Sequence, residues 1–253
     1  MTSYLNTAHI ARSTDGVEYH PLIPFLPENA KVLFLGSFPP QRKRWCMDFY
    51  YPNFINDHWR IEGQIFFGDK NHFVDLEAKR FKLDDILAFC QEKGLAFYDT
   101  STAIRRLQDN ASDKFLEVVE PTDIPALLQQ LPHLRAIVTT GEKATEALCT
   151  SLGIPEIPKV NTSIPLSSPS FSTIIASHTQ TFRSENSQFS IINSQLSTRA
   201  KPASPASPAS PLSLFRLPSS SRAYPLSFDK KVEAYRQMFL AIETKCGTLN
   251  VEH

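Results

Sequence analysis

Five short stretches carry the side chains that can do chemistry. Four of them, Gly36-Ser-Phe-Pro-Pro40, Asp99-Thr100, Thr139-Thr-Gly141 and Pro218-Ser-Ser-Ser-Arg222, each follow an apolar run. The fifth is rich in aromatics and amides, Phe49-Tyr-Tyr-Pro-Asn-Phe-Ile-Asn-Asp-His-Trp59. The Asn56 carboxamide offers both a donor and an acceptor to a ligand edge, and it also suits the cap of a helix starting near Asp57. Gly36 admits a close backbone approach because it has no Cβ, although a tight strand-to-loop turn needs the same freedom. No phosphate loop or dinucleotide fingerprint is present. His72, His133 and His178 lack metal-like spacing, and His58 adds one titratable group to the aromatic stretch. The four cysteines, Cys46, Cys90, Cys149 and Cys246, form no CxxC or Cys/His pattern and read as reduced thiols. No metal and no cofactor are expected.

The elements that must position these residues alternate between strand and helix. Lys31-Val-Leu-Phe-Leu-Gly36 is a continuous apolar run, the pattern of a strand buried on both faces. Pro39 and Pro40 stop it. A helix is expected from about 57, another over 83–93 with Gly94 as its C-terminal cap, and a second strand at 95–99. A helix over 121–131, with Pro121 just inside its start, leads to a third strand at 135–140. Gly141 then opens a helix over 142–148. A fourth strand follows at 212–217, and a closing helix over 228–244 buries Val232, Tyr235, Met238, Phe239 and Ile242. This order predicts an α/β fold, a three-layer α/β/α sandwich around a short central parallel sheet. In such sheets ligands sit beyond the carboxyl ends of the strands, where the short stretches lie.

With 253 residues the chain can bury one substantial core. One domain is expected over 25–245, after a loose lead-in at 1–24. A Ser/Thr/Pro-dominated segment at about 161–211 interrupts it and includes the repeat Pro202-Ala-Ser-Pro-Ala-Ser-Pro-Ala-Ser. Too little apolar surface is available there to offset ordering entropy, so the segment reads as a disordered insertion. Lys+Arg 26 against Asp+Glu 26 gives no net charge, which argues against a purely electrostatic nucleic-acid binder. An enzyme that grips a few phosphates remains compatible with it. No run of about 18 apolar residues could cross a bilayer, and no apolar secretory stretch is visible at 1–20. A cytoplasmic monomer without membrane contact is expected.

Taken in order, these motifs resemble the uracil-DNA glycosylase superfamily, and its hypoxanthine (deoxyinosine) branch in particular. The resemblance rests on Gly36-Ser-Phe-Pro39 after an apolar strand, then Tyr50-Tyr51 and Asn56-Asp-His-Trp-Arg60 at matching spacing. The strand ending in Asp99 and the later Leu217-Pro-Ser-Ser-Ser221 complete it. Together they span roughly 31–244. The resemblance implies a cofactor-free enzyme whose partner is DNA containing a damaged base, flipped from the stack into a pocket. It implies that Tyr51 stacks on the base and Asn56 takes part in catalysis, with Asp99 as a further catalytic candidate. Gly36 and Phe38 would face the base, while Ser37 and adjacent amides would offer donors to a departing anion. Ser219, Ser220 and Ser221 would hold flanking phosphates. Arg222 would clamp a phosphate or enter the vacated space, and the basic run Arg42-Lys43-Arg44 is either phosphate-facing or solvated surface.

Two departures from the family pattern matter. Uracil-specific relatives carry Asp or Asn two residues after the first glycine to position water, and Phe38 stands there. Many open the second motif with His or Asn, where this chain has Leu217. Asn56, with Asp99 or Asp57, must then take over. Three readings stay open: a monofunctional glycosylase for uracil or hypoxanthine, an inactive DNA-binding relative, and an unrelated α/β enzyme of small nucleotides.

Overall fold

The computed structural model describes residues 16–107, 115–166 and 212–246. Its chain order is β1 (Val17–Tyr19), β2 (Val32–Gly36), a 3₁₀ turn (Arg42–Arg44), α1 (His58–Phe67), β3 (Val74–Asp75), β4 (Arg80–Phe81), α2 (Leu83–Lys93), β5 (Leu95–Asp99) and β6 (Ser101–Arg106). After these come β7 (Leu116–Pro121), α3 (Ile124–Gln129), β8 (Ala136–Thr139), α4 (Glu142–Ser151), β9 (Thr162–Pro165), β10 (Ser213–Arg216) and α5 (Phe228–Cys246). The central sheet runs β5-β2-β8-β10-β9. Its first four strands are parallel, and β9 pairs antiparallel to β10 at the edge.

The apolar runs become the inner strands because both their faces are covered. Val32, Leu33, Phe34 and Leu35 are all buried, as are Ala136, Ile137 and Val138. Phe34 meets His58 and Phe239, so one face packs against α1 and α5. Alternation turns Leu33 and Leu35 to the other face. Gly94 ends α2 at φ 68°, a left-handed conformation in which an added Cβ would also strike the Asn29 carbonyl. The five residues expected on one face of the closing helix are all buried.

Three features differ from the sequence expectation. First, the sheet is mixed at its edge, and a second sheet, β1-β6-β7, is wholly antiparallel. The supposed lead-in therefore supplies strand β1. Second, Pro121 closes β7 instead of opening a helix; α3 starts later because the Asp123 side chain accepts from the Ala126 N–H at 3.0 Å and Pro125 occupies the first turn. Third, 162–165 lies within the expected insertion yet forms β9, where backbone pairing to β10 offsets the polar composition. The rest of that insertion, 167–211, lies outside the described residues.

Candidate active site

Beyond the carboxyl ends of β2, β5, β8 and β10 the loops enclose a cleft of about 1270 Å³. It is lined by Gly36, Ser37, Phe38, Tyr51, Asn56, Asp99 and all three serines 219–221, drawn from four separated segments. Arg222 does not line it, and neither do Asp57, Arg42 and Lys43. A smaller groove of about 520 Å³ beside α5 contains none of these residues.

Tyr51 has φ 51°, a left-handed backbone that side chains other than glycine seldom adopt. Such strain persists only where the surroundings over-determine it, and here they do. The ring stacks on His58 with centroids 3.8 Å apart and planes 15° apart, and its hydroxyl lies 3.2 Å from Thr140 Oγ1. His58 is fully buried, and desolvation lowers its pKa to about 3, so the stack beneath Tyr51 is a neutral imidazole. Glu62 Oε1 stands 3.9 Å from His58 Nε2, too far for a hydrogen bond. Burial likewise pushes the Glu62 carboxyl well above its ordinary range, toward the protonated form. Neither ring nitrogen of His58 and neither oxygen of Glu62 has a hydrogen-bond partner among the described residues.

Asn56 performs the capping role that its type allows: Oδ1 accepts from the His58 N–H at 2.9 Å. The donor end, Nδ2, has no partner among the described residues and belongs to a side chain lining the cleft. Arg60 fixes this loop from behind, donating through Nη1 to the carbonyls of Phe54 (2.8 Å) and Asn56 (3.2 Å). The guanidinium lies over Phe54 and Phe81. The neighbouring Asp57 is not available to water. Its Oδ1 accepts from Arg222 Nε at 2.8 Å, and Oδ2 lies 3.7 Å from the buried Lys231 ammonium. Lys231 donates to the Ser221 carbonyl at 2.7 Å, and Asp57 N–H donates to the Ser220 carbonyl at 3.1 Å. Arg222 thus joins the two loops instead of facing the cleft as a phosphate clamp. The Asp57 carboxylate lies 165 positions away in sequence, and the Arg222 side chain stays half exposed.

The serine turn caps itself, with Ser219 Oγ accepting from Ser221 N–H and Ser221 Oγ from Ala223 N–H. Ser220 is buried. Phe38 packs with Ile104 and Leu116, which explains an apolar residue at this turn: it seals the junction with the antiparallel sheet. Gly36 is paired with Asp99 across β2 and β5, and an added Cβ would collide with Asp99 Oδ1. A side chain here would therefore push the Asp99 carboxylate out of its place, whatever approaches from the cleft. The other oxygen, Oδ2, accepts from His20 Nε2 at 2.8 Å.

Of the cleft cations, Arg106 pairs with Glu18 at 2.9 Å and Arg216 lies 3.7 Å from Glu142. Lys143 donates to the Leu116 carbonyl. The Arg44 side chain alone among them makes no hydrogen bond or ion pair among the described residues, whereas Arg42 pairs with Asp48 and lies over Trp45. Two positions carry weight beyond the sequence reading. Thr140 was part of a recognised strand end, while His20 sat in the polar lead-in with no local signal.

No family model matches the chain, and no curated protein does. Among solved structures it is similar to a protein from Methanosarcina acetivorans provisionally described as a uracil DNA glycosylase. The identity is 25%, covering 63% of this chain and 95% of that one, with a TM-score of 0.41. At that score the superposition does not define a shared fold, and the α/β architecture stands on strand order and burial. Among the described residues no three His, Cys, Asp or Glu cluster as a metal site would require, and no helix is long and apolar enough to cross a membrane.

Proposed function

We propose that the protein is a DNA glycosylase that hydrolyses the N-glycosidic bond of a deaminated base, uracil or hypoxanthine, flipped out of DNA. The observation that carries this reading is the convergence in one cleft of Tyr51, Asn56, Asp99 and the 219–221 serine turn. These are the positions at which the sequence resembles such enzymes. A base entering the cleft stacks on Tyr51, whose other face is held by His58. Base–aromatic stacking is worth about 1–3 kcal/mol. The Asn56 Nδ2 donor then meets a carbonyl oxygen of the base, where negative charge builds as the bond breaks. Because Asn56 Oδ1 is committed to the helix, its part is to stabilise the leaving base and not to accept a proton from water. The hydroxyl protons of Ser219 and Ser221 remain free to donate to phosphates.

The cleft exceeds the roughly 300–1,000 Å³ common for small-molecule pockets, which suits a base with its flanking backbone. Phe38 supports a second reading, DNA binding without excision, since an apolar residue holds the turn where uracil-specific relatives place their water-binding group. One assay separates the two. The protein is incubated with oligonucleotides carrying a single uracil, hypoxanthine or mismatch, and abasic sites are cleaved with alkali. Strand cleavage on a uracil or hypoxanthine substrate is the expected result; binding without cleavage on every substrate supports the second reading.

A further inference from the structure

We infer that Asp99 and His20 form a water-activating pair, with Asp99 Oδ1 as the general base and His20 as the residue that positions it. The inference rests on the glycosylase reading and extends it to a residue that no motif contains. Strand β5 delivers Asp99 to the cleft, and the missing Cβ of Gly36 leaves space that Oδ1 occupies. Oδ2 is bound by His20 Nε2 at 2.8 Å, where the imidazole must donate because an ionised carboxylate only accepts. The other ring nitrogen, Nδ1, accepts from the Leu22 N–H at 3.2 Å, so the ring is held at both ends. Tyr98 and Phe38 pack on it with centroids at 4.8 and 5.2 Å, and Tyr50 stands behind at 6.3 Å. His20 is 2% exposed, whereas Asp99 reaches the cleft wall and its Oδ1 has no hydrogen-bond partner among the described residues.

One oxygen fixed and one oxygen free is the arrangement a general base needs. The other carboxylates fail that test. Asp57 is held by Arg222 and does not line the cleft, Glu62 is sealed from solvent, Glu142 faces Arg216 on an exposed helix end, and Glu146, exposed on α4, has neither oxygen fixed among the described residues. In the step itself, the water oxygen bonds to C1′ while one of its protons passes to Asp99 Oδ1. The C1′–N bond breaks, and its electron pair leaves with the base. The products are an abasic sugar and the base anion, and Oδ1 later returns its proton to solvent.

The test is a double-mutant cycle read by single-turnover excision, with DNA affinity and melting temperature measured in parallel. His20→Phe keeps a buried ring without a donor, and His20→Gln keeps a donor without the ring. His20→Phe is expected to slow the chemical step about tenfold or more, part of the roughly 10²–10⁴-fold a placed acid–base group supplies. DNA affinity should stay within about twofold of wild type, and His20→Gln should lose less. In an Asp99→Asn background His20→Phe should cause no further loss, since its target is gone. A His20→Phe rate equal to wild type, a loss confined to affinity, or losses that multiply in the double variant would overturn the pair. A wild type inactive on every substrate overturns the glycosylase reading and this inference with it. An active wild type indifferent to His20 overturns only the inference.

Discussion

Two histidines are buried beneath the cleft, and their surroundings use them in opposite ways. His20 has both ring nitrogens within hydrogen-bond distance of a partner, one of them the Asp99 carboxylate. His58 has neither nitrogen partnered among the described residues, and it meets Tyr51 face to face. The first acts as a polar group that fixes a direction; the second acts as a flat, neutral surface. On the proposed function the difference follows from what each region must hold still. A base catalyst needs one oxygen aimed, whereas a stacking platform needs a plane supported from below. The platform carries the cost: a left-handed Tyr51 and a buried carboxyl without a hydrogen bond.

The largest effect that can break this contrast comes from Asp99→Asn. It is expected to lower single-turnover excision by about 10²–10⁴-fold with little change in DNA affinity. An equal loss of affinity would place Asp99 in binding and not in chemistry. Next, Tyr51→Ala should weaken binding to a base-lesion oligonucleotide by about 1–3 kcal/mol, while binding to undamaged duplex changes much less. Equal loss on both DNAs, measured by fluorescence anisotropy, would remove the stacking role.

The third concerns the buried His58 and Glu62. The folded pKa of Glu62 lies above its ordinary 4.5, so above that pH the unfolded chain has released a proton that the native state keeps. Stability should fall as pH rises through that window, by up to about 1.4 kcal/mol per pH unit. His58 acts in the opposite sense. Its native pKa of about 3 against 6.5 means that stability falls as pH drops from about 6.5 toward 3. Glu62→Gln should abolish the alkaline-side loss and leave the acid-side loss in place. Urea midpoints at pH 5, 7 and 9 that stay parallel for the two proteins would contradict this. Smallest of all, Arg44→Ala should reduce the slope of log K against log salt by about one, as expected for a single phosphate contact. An unchanged slope would return Arg44 to solvated surface.

Much of the scaffold was legible because parallel strands buried on both faces must be apolar throughout, and glycine or proline marks their ends. Val32–Gly36, Leu95–Asp99 and Ala136–Thr139 all announce themselves in this way. The antiparallel sheet was not legible, since five of the six residues of β7 are exposed and give no alternating pattern. In the site, Tyr51, Asn56 and Asp99 reach the cleft as their motifs suggested. His20 could not be found, because its meaning comes from a carboxylate 79 positions away and from no neighbour in sequence. The Asp57 partner of Arg222 was hidden for the same reason, since it lies 165 positions away in sequence.

The central claim, that this cleft excises a base with Asn56 facing the leaving group, is tested most directly by one comparison. Wild type and Asn56→Ala are run under single-turnover conditions on oligonucleotides bearing one uracil or one hypoxanthine, with melting temperatures measured alongside. Wild type should release one of these bases, and Asn56→Ala, still folded, should lose most of that rate. Equal turnover by the two proteins would contradict the account.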